Sequence, residues 1–431
     1  MTFFILTFGC KVNQCESEDI IFAMRKCGYV LCDSFQKADI VIINSCAVTS
    51  ESVRKVRRAV NKVRAKNKNC VMILTGCFPQ AEPMDAQRVF GVDIVIGNKE
   101  KSDITSIIAT YLDNKKSVFN VSNILDLKVF QNNATNCEPA RSRAFLKIED
   151  GCNRFCSYCI IPYARGRVRS KSLESIANDA GLLAKSGYKE IVLVGINLLS
   201  YGMDIQKNIA DAVDAICAIE GVKRVRMGSL EPDLITEDVL RRLANQPKLC
   251  SQFHLALQSG SNKILKSMRR RYNRKEYMDV VETIRKYFKN PTFTTDLMVG
   301  FPGENQEDFE DSLSILNDVG FLKVHVFPYS VRPGTLAEKF ENQIEKKIKF
   351  ERAKKAMEVS GKIRQDVLNS FSGGTFDVLY ETVSKDGFYE GYTKEYISVK
   401  AKCDRDLRGK IIPSKFEKIH GDCVICKPLL N

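Results

Sequence analysis

The chain has 431 residues, a formal net charge of +14 and 44% hydrophobic residues, enough for two or three globular domains with sizeable cores. No apolar run approaches membrane-spanning length and residues 1–6 lack a basic leader and a cleavage site, so membrane and secreted classes are not expected and a cytoplasmic location is. Sixteen cysteines in that reducing compartment do not read as a disulfide framework; some read as metal ligands, while Cys27, Cys70, Cys217 and Cys250 sit in apolar patterns as small buried hydrophobes.

Residues 1–130 alternate strand-like runs (3–7, 40–44, 71–75, 94–96) with helical stretches at 16–27, 51–66 and 101–112. That alternation predicts an α/β domain with a parallel sheet. Cys10, Cys46 and Cys77 each follow one of these strands. In a parallel sheet successive strand ends share one edge, so three thiols separated by 36 and 31 positions could converge there. Gly9 and Gly76 would allow a tight turn just before two of them. Isolated buried cysteines are the alternative, and spacing alone does not separate the two.

Residues 113–143 are rich in asparagine and irregular, as a linker would be, and Cys137 within them has no assigned role. A second domain, 138–369, resumes the alternation. Strands are expected at 144–148, 190–194, 224–227, 252–257, 292–299 and 323–327, with helices at 172–186, 208–219, 236–246, 275–289 and 305–319. Six such units suggest a partial (β/α)6 barrel with its chemistry at the C-terminal strand ends.

Immediately after the first barrel strand lies Gly151-Cys152-Asn153-Arg154-Phe155-Cys156-Ser157-Tyr158-Cys159. Three thiols on so short a loop can ligate three irons of one metal–sulfur cube and leave the fourth iron open to a small molecule. A zinc site would need a fourth ligand, and no His or Cys lies within the next fifty residues. Other strand ends carry Asn197, Ser229, Gln258 and Gly300 among small and polar residues, which together could hold a nucleotide-like ligand. His254 and His325 read as wall or core histidines, and no Ser/His/Asp or Cys/His set suggests nucleophilic catalysis.

Residues 337–370 are charged and helical. After Gly373-Gly374 the pattern turns to strands at 375–381, 397–402, 410–413 and 424–427, suiting a small five-stranded barrel over 370–431. Cys423 and Cys426 read as strand neighbours without metal partners.

The loop Cys-x3-Cys-x2-Cys, with Ile148-Glu149-Asp150-Gly151 before it and Ile160-Ile161-Pro162-Tyr163-Ala164-Arg165-Gly166-Arg167 after it, resembles the radical S-adenosylmethionine (SAM) methylthiotransferases. So do Gly9-Cys10-Lys11-Val12-Asn13-Gln14, Asn44-Ser45-Cys46 and Thr75-Gly76-Cys77. Nearly the whole chain is covered. The resemblance implies two 4Fe–4S clusters, one on Cys152, Cys156 and Cys159 and an auxiliary one on Cys10, Cys46 and Cys77. It also implies SAM contacts at Tyr158, Asn197, Ser229, Gln258 and Gly300, and a C-terminal RNA-binding domain of the TRAM type. The chemistry implied is replacement of a carbon–hydrogen bond by carbon–S–methyl, carried by cluster and SAM rather than by a protein side chain. Cys15 stands where the family's first motif has an aromatic, a fourth thiol that could ligate or substitute.

The basic residues cluster: eight Lys/Arg and no acid over 54–68, eight against two over 141–171, ten against three over 263–289. A polyanion partner explains such clustering, and solvated helix faces are the bland alternative. The resemblance makes the partner a tRNA anticodon arm, with Arg165, Arg167, Arg169, Arg270 and Arg271 as phosphate or base contacts. Three subgroups share the machinery, acting on isopentenyl-adenosine or threonylcarbamoyl-adenosine in tRNA or on a ribosomal-protein aspartate. Cys10-Lys11-Val12-Asn13-Gln14, Arg165-Gly166-Arg167-Val168-Arg169-Ser170 and Met268-Arg269-Arg270-Arg271-Tyr272 look most like the threonylcarbamoyl subgroup, acting at position 37. A flavodoxin-type electron donor, an unspecified sulfur donor and a monomeric chain complete the expectation. A non-enzymatic iron–sulfur protein that binds RNA or senses redox state is the competing class.

Overall fold

Ile40–Ser45 and Val71–Gly76 are buried at every residue, as parallel strands covered on both faces must be. They centre a six-stranded parallel sheet in the order Val30–Leu31, Thr2–Thr7, Ile40–Ser45, Val71–Gly76, Ile94–Ile96, Val118–Asn120. The two edge strands are additions to the expected four. Val118–Asn120 extends the fold into the segment read as a linker, where Ile124 is also buried. This is a computed structural model describing residues 1–132 and 142–430, so Cys137 lies outside the described residues.

Helix Ser50–Lys66 buries Val53, Val56, Val60 and Val63 against that sheet, each contributing about 1.5–3 kcal/mol, and Thr49 caps it by accepting from the Ser52 amide. Its other face exposes Arg54, Lys55, Arg57, Arg58 and Lys62. Helix Lys11–Lys26 starts five residues ahead of the expected 16, directly on Cys10, because the chain turns into it straight after Gly9.

The second domain has the six expected strands and one more, Ser229–Leu230, divided between two parallel sheets. One is ordered Arg224–Arg226, Glu190–Val194, Arg143–Lys147; the other is Ser229–Leu230, Gln252–Leu255, Thr292–Val299, Lys323–Pro328. The chain crosses between them at Met227–Gly228, and the result is a curved, laterally open barrel. Along each strand the outward residues (Ala144, Leu146, Ile191, Leu193, Phe253, Leu297) join one large core beneath the helices, while charged and polar residues alternate inward.

Helix Lys346–Ser370 leads to a closed five-stranded barrel whose strands Thr375–Val383, Tyr389–Tyr392, Ser398–Ala401, Cys423–Pro428 and Ile411–His420 pair in that order. Strand Tyr389–Tyr392 was absent from the sequence reading. Its Gly391 permits the close approach, since a Cβ there would lie 2.2 Å from the Leu379 carbonyl oxygen. Cys423 and Cys426 are buried, free strand residues. The small barrel docks beneath the larger one. Arg226 donates to the Thr393 and Lys394 carbonyls at 3.0 Å each, and Arg224 to those of Asp377 and Tyr392 at 2.6 and 3.1 Å. Among the described residues no helix is long and apolar enough to cross a membrane.

Candidate metal centre

The Cys152–Cys159 loop is held from several sides. The Cys152 amide donates to the Gly166 carbonyl at 3.0 Å, the Ser157 amide to Met268 at 3.1 Å, and Ala337 donates to the Ser157 carbonyl at 2.7 Å. Gly151 is obligatory, because its φ is +89° and a Cβ would sit 2.0 Å from the Arg167 carbonyl oxygen. Burial pushes the Cys152 thiol up to about 12, with the neighbouring Cys156 adding to it, and Cys159 is raised the same way. Two raised thiols packed beside a third in a dry site favour a polycationic partner, which removes protons and mutual repulsion together.

The second set converges as the strand ends suggested. A Cβ on Gly9 would lie 3.0 Å from the Cβ of Cys46, so these two strand ends abut. Cys46 is raised to about 11 by burial, then by Cys77 and Cys10. Cys77 opens a short helix that packs, with Ala47, against Ile160 and Ala164, the residues that follow the first loop. Cys77 of the second set therefore sits at the contact between the domains, against the residues just after the first loop. Among the described residues no three Cys, His or carboxylate groups close on a single-ion position. A 4Fe–4S cube binds each thiol through a different iron and fits more widely spread donors. Cys15 is buried elsewhere, among Val12, Val192 and Val194, and burial raises its thiol well above the ordinary value. It is a packing residue.

Beneath this contact lies an ion cluster that the sequence reading missed. Glu16 accepts from Arg165 (2.6 Å), Lys101 (2.5 Å) and Lys147 (3.0 Å), and Asp150 pairs with Lys147 (2.8 Å) and Arg165 (3.2 Å). Asn13 joins the cluster to the thiols, its Oδ1 accepting from Arg165 at 3.1 Å and from Cys10 Sγ at 3.4 Å. Burial pushes Glu16 up, but the three cations outweigh it and hold the carboxyl well below its ordinary value. Asp150 is held at about 2, burial again being outweighed by Lys147 and Arg165.

Buried ion pairs and hydrogen bonds correct three of the five arginines expected to meet RNA. Arg165 has a side chain 1% exposed and is consumed by Glu16 and Asp150. Arg169 is equally enclosed, donating to the Arg167 carbonyl at 2.7 Å with Asp150 beside it. Arg270 is buried against Glu231 and donates to Cys156 Sγ at 3.4 Å, so it serves the loop and cannot reach a phosphate. Arg167 and Arg271 are exposed. Arg167 lies 4.7 Å over the Phe155 ring, whose edge meets the half-exposed Tyr163 at the lip of the loop.

Of the expected SAM contacts, Asn197 is the most telling. It is buried, its amide donates to Glu149 at 2.8 Å, and neither of its side-chain polar atoms has a partner. Glu149 has an unpartnered oxygen as well, and burial raises its carboxyl well above the ordinary range. Unsatisfied polar atoms at a strand end suit a polar ligand. Ser229 is exposed, Gln258 is half-buried with φ +64°, and Tyr158 packs edge-on to Phe301 beside the thiols. Gly300 is a correction: Lys349 fills the space beside it, with Cγ 2.4 Å from a would-be Cβ, so this glycine serves helix packing and not a ligand.

Comparison with known proteins accounts for both halves. The radical SAM superfamily matches residues 146–316, and the uncharacterized protein family UPF0004 matches residues 2–97. A threonylcarbamoyladenosine tRNA methylthiotransferase MtaB of Bacillus subtilis is 35% identical over 96% of this chain and 93% of its own length. That settles the family. The chain belongs to the radical SAM methylthiotransferases. An MtaB of Chlamydia pneumoniae is 38% identical over 89% of this chain and 87% of its own. A tRNA-2-methylthio-N(6)-dimethylallyladenosine synthase of Clostridium botulinum (strain Loch Maree / Type A3) is 36% identical over 97% and 95%. In fold, the chain is similar to the radical SAM methyltransferase TsrM from Kitasatospora setae, with TM-score 0.59 at 12% identity over 78% of this chain and 76% of that one. Membership makes the protein an enzyme, a radical SAM methylthiotransferase using SAM and a 4Fe–4S cluster, and removes the non-enzymatic reading.

Proposed function

We propose that this enzyme converts N6-threonylcarbamoyladenosine at position 37 of tRNA to its 2-methylthio derivative. Cys152, Cys156 and Cys159 would hold the cluster that binds SAM, and Cys10, Cys46 and Cys77 a second 4Fe–4S cluster that carries sulfur. The observation that supports the reading is the packing of Cys77 against Ile160 and Ala164, the residues that follow the Cys152–Cys159 loop. When bound, these groups supply one-electron cleavage of SAM, abstraction of hydrogen from the substrate carbon, and sulfur and methyl for transfer.

The chain's own part is placement. Glu16, Arg165 and Asp150 lock the two domains, Arg270 keeps a cation beside Cys156, and Asn197 and Glu149 offer polar atoms for SAM. The exposed cations of helix Ser50–Lys66, with Arg167 and Arg271, are the candidates for phosphate contacts. The target base must leave its stack, and Phe155 and Tyr163 at the loop lip offer rings for it to lie against. A cytoplasmic monomer drawing electrons from a flavodoxin-type donor completes the reading.

The Clostridium botulinum relative, equally similar over the whole chain, supports dimethylallyl-adenosine as the second reading. Mass spectrometry of tRNA nucleosides from cells with and without the gene tests both. Loss of 2-methylthio-threonylcarbamoyladenosine is expected. Loss of the dimethylallyl product, or of a methylthio group from a ribosomal-protein aspartate, would overturn the assignment.

A further inference from the structure

Helix Lys11–Lys26 covers part of the open side of the large barrel: Val12 and Cys15 pack on Val192 and Val194, inward residues of a barrel strand. Lys11, next to Cys10, is thereby carried into the barrel interior. Its Nζ lies 5.9 Å from the centroid of Phe145, and the charged groups around it are Tyr396, Arg143, Arg226 and Glu190. Below it the interior is floored by the small barrel, whose Tyr396 lies under Arg226 at 4.9 Å. His325 lies within electrostatic reach of Lys11 and of Asp296, which is 3.4 Å from His254.

The charge balance of this chamber is uneven. Arg226 is paired with Glu190 at 2.8 Å, Arg224 has that same carboxylate at 3.7 Å, and Arg143 is paired with Glu381 at 2.7 Å. Both carboxylates are thus already shared among arginines. Lys11 has no ion pair or hydrogen bond among the described residues, and its side chain is exposed to solvent. An ammonium without a carboxylate partner of its own, beside a ligand thiol, penalises an apolar group placed against it and rewards an anion.

We infer that Lys11 is a specificity-determining residue that binds the free carboxylate of the amino-acid substituent on the target adenosine, selecting threonylcarbamoyl over dimethylallyl. This rests on the reading given under Proposed function, and adds to it the group that reads the substituent. The two substituents differ most at that point, one ending in a carboxylate and the other in methyl groups.

The test uses the reconstituted holoenzyme and anticodon stem-loops carrying threonylcarbamoyladenosine, its carboxamide-capped analogue, or dimethylallyladenosine. Lys11→Met, purified with the iron content of the wild type, is expected to lose about 10- to 100-fold in kcat/KM on the charged substrate, mainly through KM, with Lys11→Arg restoring most of it. Capping the carboxylate should cost the wild type a similar factor and cost Lys11→Met almost nothing further. The capped substrate needs no mutant, so it tests the inference even if the variants fail to fold. Full activity of the wild type on the capped substrate, or losses that multiply when variant and cap are combined, would overturn the inference and leave the parent reading standing. Wild-type turnover of the dimethylallyl substrate alone would overturn the parent reading.

Discussion

The two thiol sites make opposite use of the chain. One set occupies eight consecutive residues on a loop pinned by Gly151 and Gly166; the other is gathered from three strand ends of a parallel sheet. The first needs only a local backbone to exist. The second needs a finished sheet, because Cys10, Cys46 and Cys77 come together only when the strands before them are paired in register. A catalytic centre built on both couples the chemistry of a loop to the folding of a domain.

The sharpest way to separate the two is to remove one thiol from each. Cys152→Ala is expected to abolish 5′-deoxyadenosine formation, read by chromatography after anaerobic reduction with SAM. Cys46→Ala is expected to retain that product, lose methylthio transfer entirely, and lose roughly half the iron of a protein carrying two four-iron clusters. Equal iron in Cys46→Ala and wild type would break the comparison, leaving the strand-end thiols as packing.

The contact between the sites is expected to depend on Glu16. Glu16→Gln leaves Arg165, Lys101 and Lys147 short of a carboxylate, and a loss of about 3–5 kcal/mol in denaturant unfolding is expected. Arg165→Ala should destabilise similarly while its neighbour Arg167→Ala does not. Acid should act through the same groups. Glu16 and Asp150 are depressed in the folded state, so their contribution is complete above the unfolded carboxyl range near pH 4 and is lost as pH falls from there through the folded values, about 2 for Asp150. Thermal unfolding from pH 7 to 3 should therefore hold level and then drop.

Those arginines also mark where sequence reading stops. Most strands, the helices between them and the strand-end placement of the cysteines were legible because apolar period and strand-end position are local properties. Arg165, Arg169 and Arg270 read as a basic surface because their neutralising partners are distant in sequence: Glu16 is 149 positions from Arg165, and Glu231 is 39 from Arg270. Gly300 failed similarly, its neighbour Lys349 coming from a later helix. The start of helix Lys11–Lys26 was missed because Cys10 occupies its cap without a side-chain hydrogen bond, leaving none of the usual capping signature.

The smallest effect belongs to the surface. Arg167→Ala is expected to weaken tRNA binding a few-fold and to lower the salt dependence of the affinity by about one phosphate contact, with transfer on saturating tRNA unchanged. A stability loss in its place would mean that the lip, like the cluster beneath it, is structural.

The seating of the small barrel on Arg224 and Arg226 bears on engineering. Those guanidinium groups take their acceptors from the backbone of Asp377 and of residues 392–394, so the C-terminal module is also the stopper of the larger one. Grafting a foreign RNA-binding module after residue 370 would remove those backbone acceptors and leave Arg224 and Arg226 to share Glu190 alone. A chimera designed to retarget this enzyme would have to transplant the 392–396 turn along with whatever new recognition surface it carries.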